Sequence, residues 1–107
     1  MNDELIKEDE QLARFAKALG HPVRIAILRM LAKKTCCYHS NMSEKLPVAK
    51  STLSQHLKEL KEAGLIDQEV IMLPTIKYCI CKENWELAKK LFDELFIEYN
   101  KEACPEI

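Results

Sequence analysis

Glycine is scarce in this chain of 107 residues, which contains only two, and this scarcity excludes several classes of enzyme site. Loops that wrap phosphate groups need glycines at fixed spacing, and no such pattern is present in the sequence. The sequence also lacks an arrangement of nucleophile, base and acid that would mark a catalytic centre. We therefore expect that the chain is not an enzyme and requires no cofactor.

Long apolar runs are also missing. No segment approaches the roughly 20 apolar residues of a membrane-spanning helix, so we expect no membrane partner. The opening MNDELIKEDE has neither the basic start nor the apolar run of a signal peptide, which predicts a cytoplasmic chain. A composition of 48% apolar and 31% charged residues predicts one globular domain over residues 1–107.

The chain has five cysteines, an odd number, at positions 36, 37, 79, 81 and 104. Because disulfides are rare in the reducing cytoplasm, we expect reduced thiols rather than a disulfide framework.

Acidic residues are absent between Gln11 and Ser43, and the charges of the chain are segregated. Residues 1–10 carry a net charge of −4, residues 11–82 carry +7 and residues 83–107 carry −4. A basic middle between acidic ends is typical of a chain whose middle faces the phosphates of a nucleic acid.

Two terminal helices are predicted from apolar residues that recur at helical spacing. In residues 4–19, Leu5, Leu12 and Leu19 are seven residues apart, and residues 84–101 contain a stripe rich in large aromatic side chains. One small core does not need so many aromatic residues, so we expect these two helices to form the interface of a homodimer.

Between the terminal helices, residues 40–63 read as a helix-turn-helix, and residues 68–81 read as a β-hairpin that would form a wing. Pro47 ends the first helix and Gly64 follows the second. The fold class is thus mainly α with a small β-hairpin. Polar and basic side chains on the second helix and one lysine of the wing are candidates for contacts with phosphates and base edges: Lys50, Ser51, Thr52, Ser54, Gln55, Lys58 and Lys77.

Three stretches resemble the winged-helix repressors of the ArsR/SmtB family: HPVRIAILRML at 21–31, STLSQHLKELKEAGLI at 51–66 and IKYCI at 76–80. The resemblance extends from about Leu12 to Tyr99. It implies a homodimer that places two recognition helices in successive major grooves of double-stranded operator DNA, and that is released when an inducer binds.

The usual metal sites of that family do not carry over. Many members have a Cys-x-Cys pair at the start of the first helix of the helix-turn-helix, where this sequence has Tyr38 and Ser40 in the run CCYHSNM. Other members bind zinc between their last helices through Asp and His, but residues 84–101 contain no His.

Cys36 and Cys37 lie beside the vacant position, in what reads as a loop next to two lysines. Lysines favour the thiolate form, and two thiolates suit a soft metal ion or trivalent arsenic such as arsenite. We therefore take Cys36 and Cys37 as a candidate inducer site, with Cys104 as a candidate third ligand. Cys79 and Cys81 alternate along a strand, and packing is their expected role.

Two alternatives remain beside the arsenic-responsive repressor. One is a repressor on the same fold that responds to thiol oxidation or persulfide formation. The other is a dimeric interaction module that no longer binds DNA.

Overall fold

The computed structural model describes residues 3–34 and 36–99 of the chain, with side chains from residue 7 onward. Five helices and three strands follow one another in these ranges. Their order is α1 (Asp3–Ala18), α2 (Pro22–Lys34), β1 (Cys36–Tyr38), α3 (His39–Lys45), α4 (Lys50–Glu62), β2 (Ile66–Met72), β3 (Thr75–Ile80) and α5 (Lys82–Ile97). The predicted fold class, mainly helical with a small hairpin, is confirmed.

One apolar core joins the helices. The helical spacing of Leu53, Leu57 and Leu60 places all three on one side of α4, and each is fully buried. They join side chains from α1 and α2, among them Phe15 and Leu31, which are also fully buried. Fully burying a side chain of this size stabilises the fold by about 1.5–3 kcal/mol. The core therefore fixes which side of α4 faces outward.

The turn after α4 depends on Gly64, whose backbone has a φ of 86°. A side chain at this position would be strained, and its Cβ would lie 2.7 Å from Nδ2 of Asn84. The same Nδ2 donates a hydrogen bond of 2.9 Å to the Gly64 carbonyl oxygen. Gly64 thus follows the end of α4 as predicted, and its lack of a side chain lets the backbone pass close to Asn84 near the start of α5.

The wing is formed by β2 and β3, which pair in antiparallel fashion and turn at Leu73–Pro74. The predicted hairpin is present, although β2 begins at Ile66 rather than at residue 68. β3 is the central strand of a three-stranded sheet, because β1 pairs with its other edge.

The sequence predicts a loop or the start of the next helix over residues 34–40; the helix does begin at His39, but Cys36–Tyr38 form the strand β1 instead of a loop. Cys36, Cys37 and Tyr38 lie opposite Cys79, Tyr78 and Lys77 in the register of the sheet. Pairing with a strand about 40 residues away gives these three residues their extended structure, so no local pattern predicted it.

Within the described ranges, no helix combines the length and the apolar character needed to cross a membrane.

Candidate nucleic-acid interface

The outer side of α4 carries the predicted DNA-contacting residues. All six that lie on this helix are exposed, whereas Leu53, His56, Leu57 and Leu60 on the other side are buried. The six exposed residues are Lys50, Ser51, Thr52, Ser54, Gln55 and Lys58. A single helix surface therefore presents two ammonium groups, three hydroxyls and one amide.

The start of α4 favours an anion. Its first turn contains Lys50, Ser51 and Thr52 and no acidic residue, and the N-cap residue Ala49 supplies no capping side chain. The backbone N–H groups of the first turn are thus left for an outside acceptor, and the helix dipole adds positive potential there. A phosphate oxygen is a suitable acceptor for such a helix end.

Gln55 is the side chain on this surface with the most base-reading capacity, because its amide carries both donors and an acceptor. Its Nε2 lies 3.5 Å from Oε1 of Glu59, one turn further along the helix. A hydrogen bond of this length is weak, so the amide can turn toward a base without a large loss of free energy.

Two polar contacts hold α4 in place. His39, the first residue of α3, has its Nε2 3.0 Å from Oγ of Ser54, which links the two helices of the helix-turn-helix. At the inner side of α4, Nε of Arg24 donates a hydrogen bond of 3.1 Å to Nδ1 of His56. The His56 ring also lies 4.3 Å from the ring of His21, centroid to centroid.

Burial lowers the pKa of His56, electrostatic interactions with His21 and Arg24 lower it further, and the interaction with Glu59 opposes them. The neutral ring is the form that can accept the hydrogen bond from Arg24. His56 therefore supports packing beneath α4, and His21 caps α2, because its Nδ1 accepts a hydrogen bond of 3.1 Å from the Val23 amide.

The wing presents a different chemistry from α4. Lys77, the predicted wing contact, lies opposite Glu69 in the sheet, and its Nζ is 3.8 Å from a Glu69 oxygen. The tip is apolar and exposed: Met72 and Leu73 each show 75% of their surface to solvent. This arrangement leaves little positive charge on the wing for a phosphate.

The structure separates the two candidate inducer thiols. Cys36 is bonded through its Sγ to Sγ of Cys79, whereas the side chain of Cys37 points to the other face of the strand and is 5% exposed in the core. The structure thus differs from the expectation of a reduced thiol at Cys36, and a shared inducer site of Cys36 and Cys37 stays a prediction. Cys81 is a free, partly exposed thiol, and Cys104 lies outside the described residues.

No group of three or more His, Cys, Asp or Glu side chains within residues 3–34 and 36–99 is arranged to hold a metal ion. Sequence reasoning missed Cys79 as the partner of Cys36 and the contact of His39 with Ser54. The one signal for the cysteine pair was that both lie in short β-prone runs, which does not reveal a register.

The chain is similar to known helix-turn-helix proteins. Residues 19–69 match the family described as helix-turn-helix domain. The chain is 43% identical over 53 residues to the HTH-type transcriptional repressor SmtB of Mycobacterium tuberculosis, an alignment that covers 50% of the chain and 38% of that protein. It is 35% identical over 60 residues to the HTH-type transcriptional regulator YgaV of Escherichia coli, which covers 56% of the chain and 61% of the relative.

The fold has solved counterparts. The crystal structure of an ArsR family transcriptional regulator superposes with a TM-score of 0.71 at 22% identity, and the match covers 86% of this chain and 96% of the other. The relatives and this counterpart are regulators rather than enzymes. The chain therefore shares the winged helix-turn-helix fold of that regulator, and residues 19–69 carry the match to the helix-turn-helix domain family.

Proposed function

We propose that the chain is a dimeric, sequence-specific DNA-binding repressor that reads its operator with α4. The observation that carries this proposal is the division of α4 between a leucine side in the core and an exposed side of hydroxyl, amide and ammonium groups. Side chains of this kind bind phosphates and base edges in the major groove.

The proposed contacts differ in role. Lys50, Ser51 and Thr52 surround the helix N-terminus, where they bind phosphates and set the position of the helix. Gln55 lies one turn further along and pairs with a base, with adenine as its preferred partner. Lys58 is two turns into the helix and binds a phosphate, whereas Lys77 adds little because Glu69 lies beside it.

The dimer is proposed from α1 and α5, which contact each other. At and just beyond the end of α5, Leu95, Phe96, Ile97 and Tyr99 are 48–82% exposed, and neighbouring exposed apolar side chains of this kind suit a protein–protein contact. A two-fold partner would cover it and would set two α4 helices about 34–36 Å apart, one turn of DNA.

Release by a thiophilic ion such as arsenite remains a prediction. Cysteine thiols near the helix-turn-helix support it, and the burial of Cys37 counts against Cys36 and Cys37 as the binding pair. Arsenite added to the complex of reduced protein and DNA tests this part, because release would require a thiol site that is accessible in the folded chain.

The function itself is tested with duplex DNA from upstream of the chain's own gene, by fluorescence anisotropy. We expect Gln55→Ala and Lys50→Ala to weaken binding, whereas Lys82→Ala, an exposed lysine at the start of α5, leaves it unchanged. Equal binding by all three variants would refute the assignment of α4.

A further inference from the structure

The contact between β1 and β3, here called the seam, pairs Cys36–Tyr38 with Lys77–Cys79. Cys36 and Cys79 are directly opposite each other, with their Cα atoms 4.1 Å apart and their sulfurs bonded. They are 43 residues apart in sequence. The intervening segment contains α3, α4 and the wing, so the bond encloses every residue proposed to contact DNA.

The seam connects the two parts of the proposed DNA-binding surface. On one side, Tyr38 leads directly into α3, and His39 touches Ser54 on α4. On the other side, Cys79 belongs to the wing strand. A cavity between the wing tip and the start of α4 is lined by residues of both parts, including Ser43, Lys50 and Thr75.

The strand β1 has only three residues. So short a strand offers only three positions that pair with β3, and Cys37 adds a buried side chain to their attachment. The bond between Cys36 and Cys79 adds a covalent link to this short pairing. If it opens, α3 and α4 gain freedom to move relative to the wing.

Small molecules can reach the pair. Cys36 and Cys79 are both partly exposed, whereas Cys37 is buried. A small thiol or disulfide in solution can therefore reach the sulfurs of Cys36 and Cys79 but not that of Cys37, which allows selective reaction at Cys36 and Cys79.

We propose that Cys36 and Cys79 form a thiol–disulfide switch that exchanges with low-molecular-weight disulfides, and that the closed form binds operator DNA more tightly than the open form. The second half rests on the proposed function. The closed form holds wing and recognition helix in one arrangement before DNA arrives, so less ordering is left for the binding step.

The exchange is balanced in two steps. The thiolate of one cysteine attacks a sulfur of the small disulfide, which forms a mixed disulfide and releases one small thiolate. The second protein thiolate then attacks the protein sulfur of the mixed disulfide, forming the Cys36–Cys79 bond and releasing the second small thiol. Two protein thiols are oxidised, and one small disulfide is reduced to two thiols.

The experiment equilibrates the full chain in a series of reduced-to-oxidised glutathione ratios. After alkylation of free thiols, peptide mapping gives the fraction of Cys36–Cys79 bond, and anisotropy gives the affinity for the upstream duplex in the same samples. We expect the fraction of Cys36–Cys79 bond and the affinity for the duplex to rise together as the glutathione becomes more oxidised. The affinity should increase by roughly 3- to 10-fold as the pair closes.

Three variants make the result specific. Cys36→Ser and Cys79→Ser should bind like reduced wild type at every ratio, because neither can close the pair. Cys81→Ser is the matched control, since Cys81 is a partly exposed thiol just beyond the same strand, and it should respond like wild type.

Several results would overturn the proposal. They are a bond that stays closed under full reduction, a bond that maps to other cysteines, a response that survives in Cys36→Ser, and an affinity that does not change while the pair closes. If no form binds any duplex, the proposed function fails and the affinity half of this inference fails with it. Amide hydrogen exchange in β1 and α3 then decides the switch itself: exchange that is equal in open and closed forms would reject it.

Discussion

Helix α4 and the wing are neighbours that line common cavities, but the exposed side chains of the two differ in chemistry. The exposed side of α4 is polar and basic, with six candidate contacts and a helix end free of acidic residues. The wing tip exposes Val70, Ile71, Met72 and Leu73. The lysine of the wing strand β3, Lys77, lies beside Glu69. Sequence recognition and phosphate affinity should therefore reside in α4, while the wing contributes mainly through its placement.

The largest effect on stability is expected from a substitution on the buried side of α4. Leu57→Ala removes a fully buried side chain from the core and should lower the free energy of unfolding by about 2–5 kcal/mol. Urea denaturation measures the change. Thr52→Ala, an exposed position on the same helix, is the control and should stay within about 0.5 kcal/mol of wild type.

A smaller effect is expected when the reading surface is changed without touching the core. Gln55→Ala should weaken binding to the upstream duplex by about 1–3 kcal/mol and leave the free energy of unfolding nearly unchanged. Leu73→Ala at the wing tip should change the affinity much less. A larger loss from Leu73→Ala than from Gln55→Ala would reverse the ranking of the two surfaces.

Salt dependence distinguishes the two lysines. Lys58→Ala should reduce the slope of log K against log salt concentration by about 1, as expected when one phosphate contact is lost. Lys77→Ala should reduce it less, because Glu69 already neutralises part of its charge. Anisotropy titrations at four salt concentrations measure both slopes, and equal reductions would show that the wing lysine is released from Glu69 on DNA.

The smallest effect concerns pH and the packing beneath α4. Because the pKa of His56 is lowered in the fold, the unfolded chain binds its proton more readily than the folded chain does. The contribution of neutral His56 is therefore complete above the unfolded value of about 6.5 and declines as the pH falls below it. Urea denaturation at pH 7.5 and 5.5 should show a smaller loss of stability for His56→Gln than for wild type.

Helix α4, its end and the wing could be predicted from the sequence because each depends on residues that are close together in the chain. The leucine spacing of α4 and Gly64 after it define the helix and its end, because both act within a few residues. The β-prone runs on either side of Leu73–Pro74 define the wing in the same way.

Other features depend on contacts between distant parts of the chain. The strand Cys36–Tyr38 forms only because β3 offers a free edge, and the partner of Cys36 follows from that register. Cys36 and Cys37 are adjacent in sequence. Because successive side chains of a strand point to opposite faces, their thiols lie on different faces of β1. The roles assigned to Lys50, Gln55 and the other α4 residues stay predictions, since exposure permits DNA contact without demonstrating it.

Binding of duplex DNA through α4 can be tested in a single set of titrations. Wild type and Gln55→Ala are titrated with the upstream duplex and with a scrambled duplex of equal length, at two salt concentrations. We expect wild type to prefer the upstream duplex, its affinity for both duplexes to fall steeply with salt, and Gln55→Ala to lose most of the preference. Weak, salt-insensitive binding with no preference in wild type would contradict this role of α4.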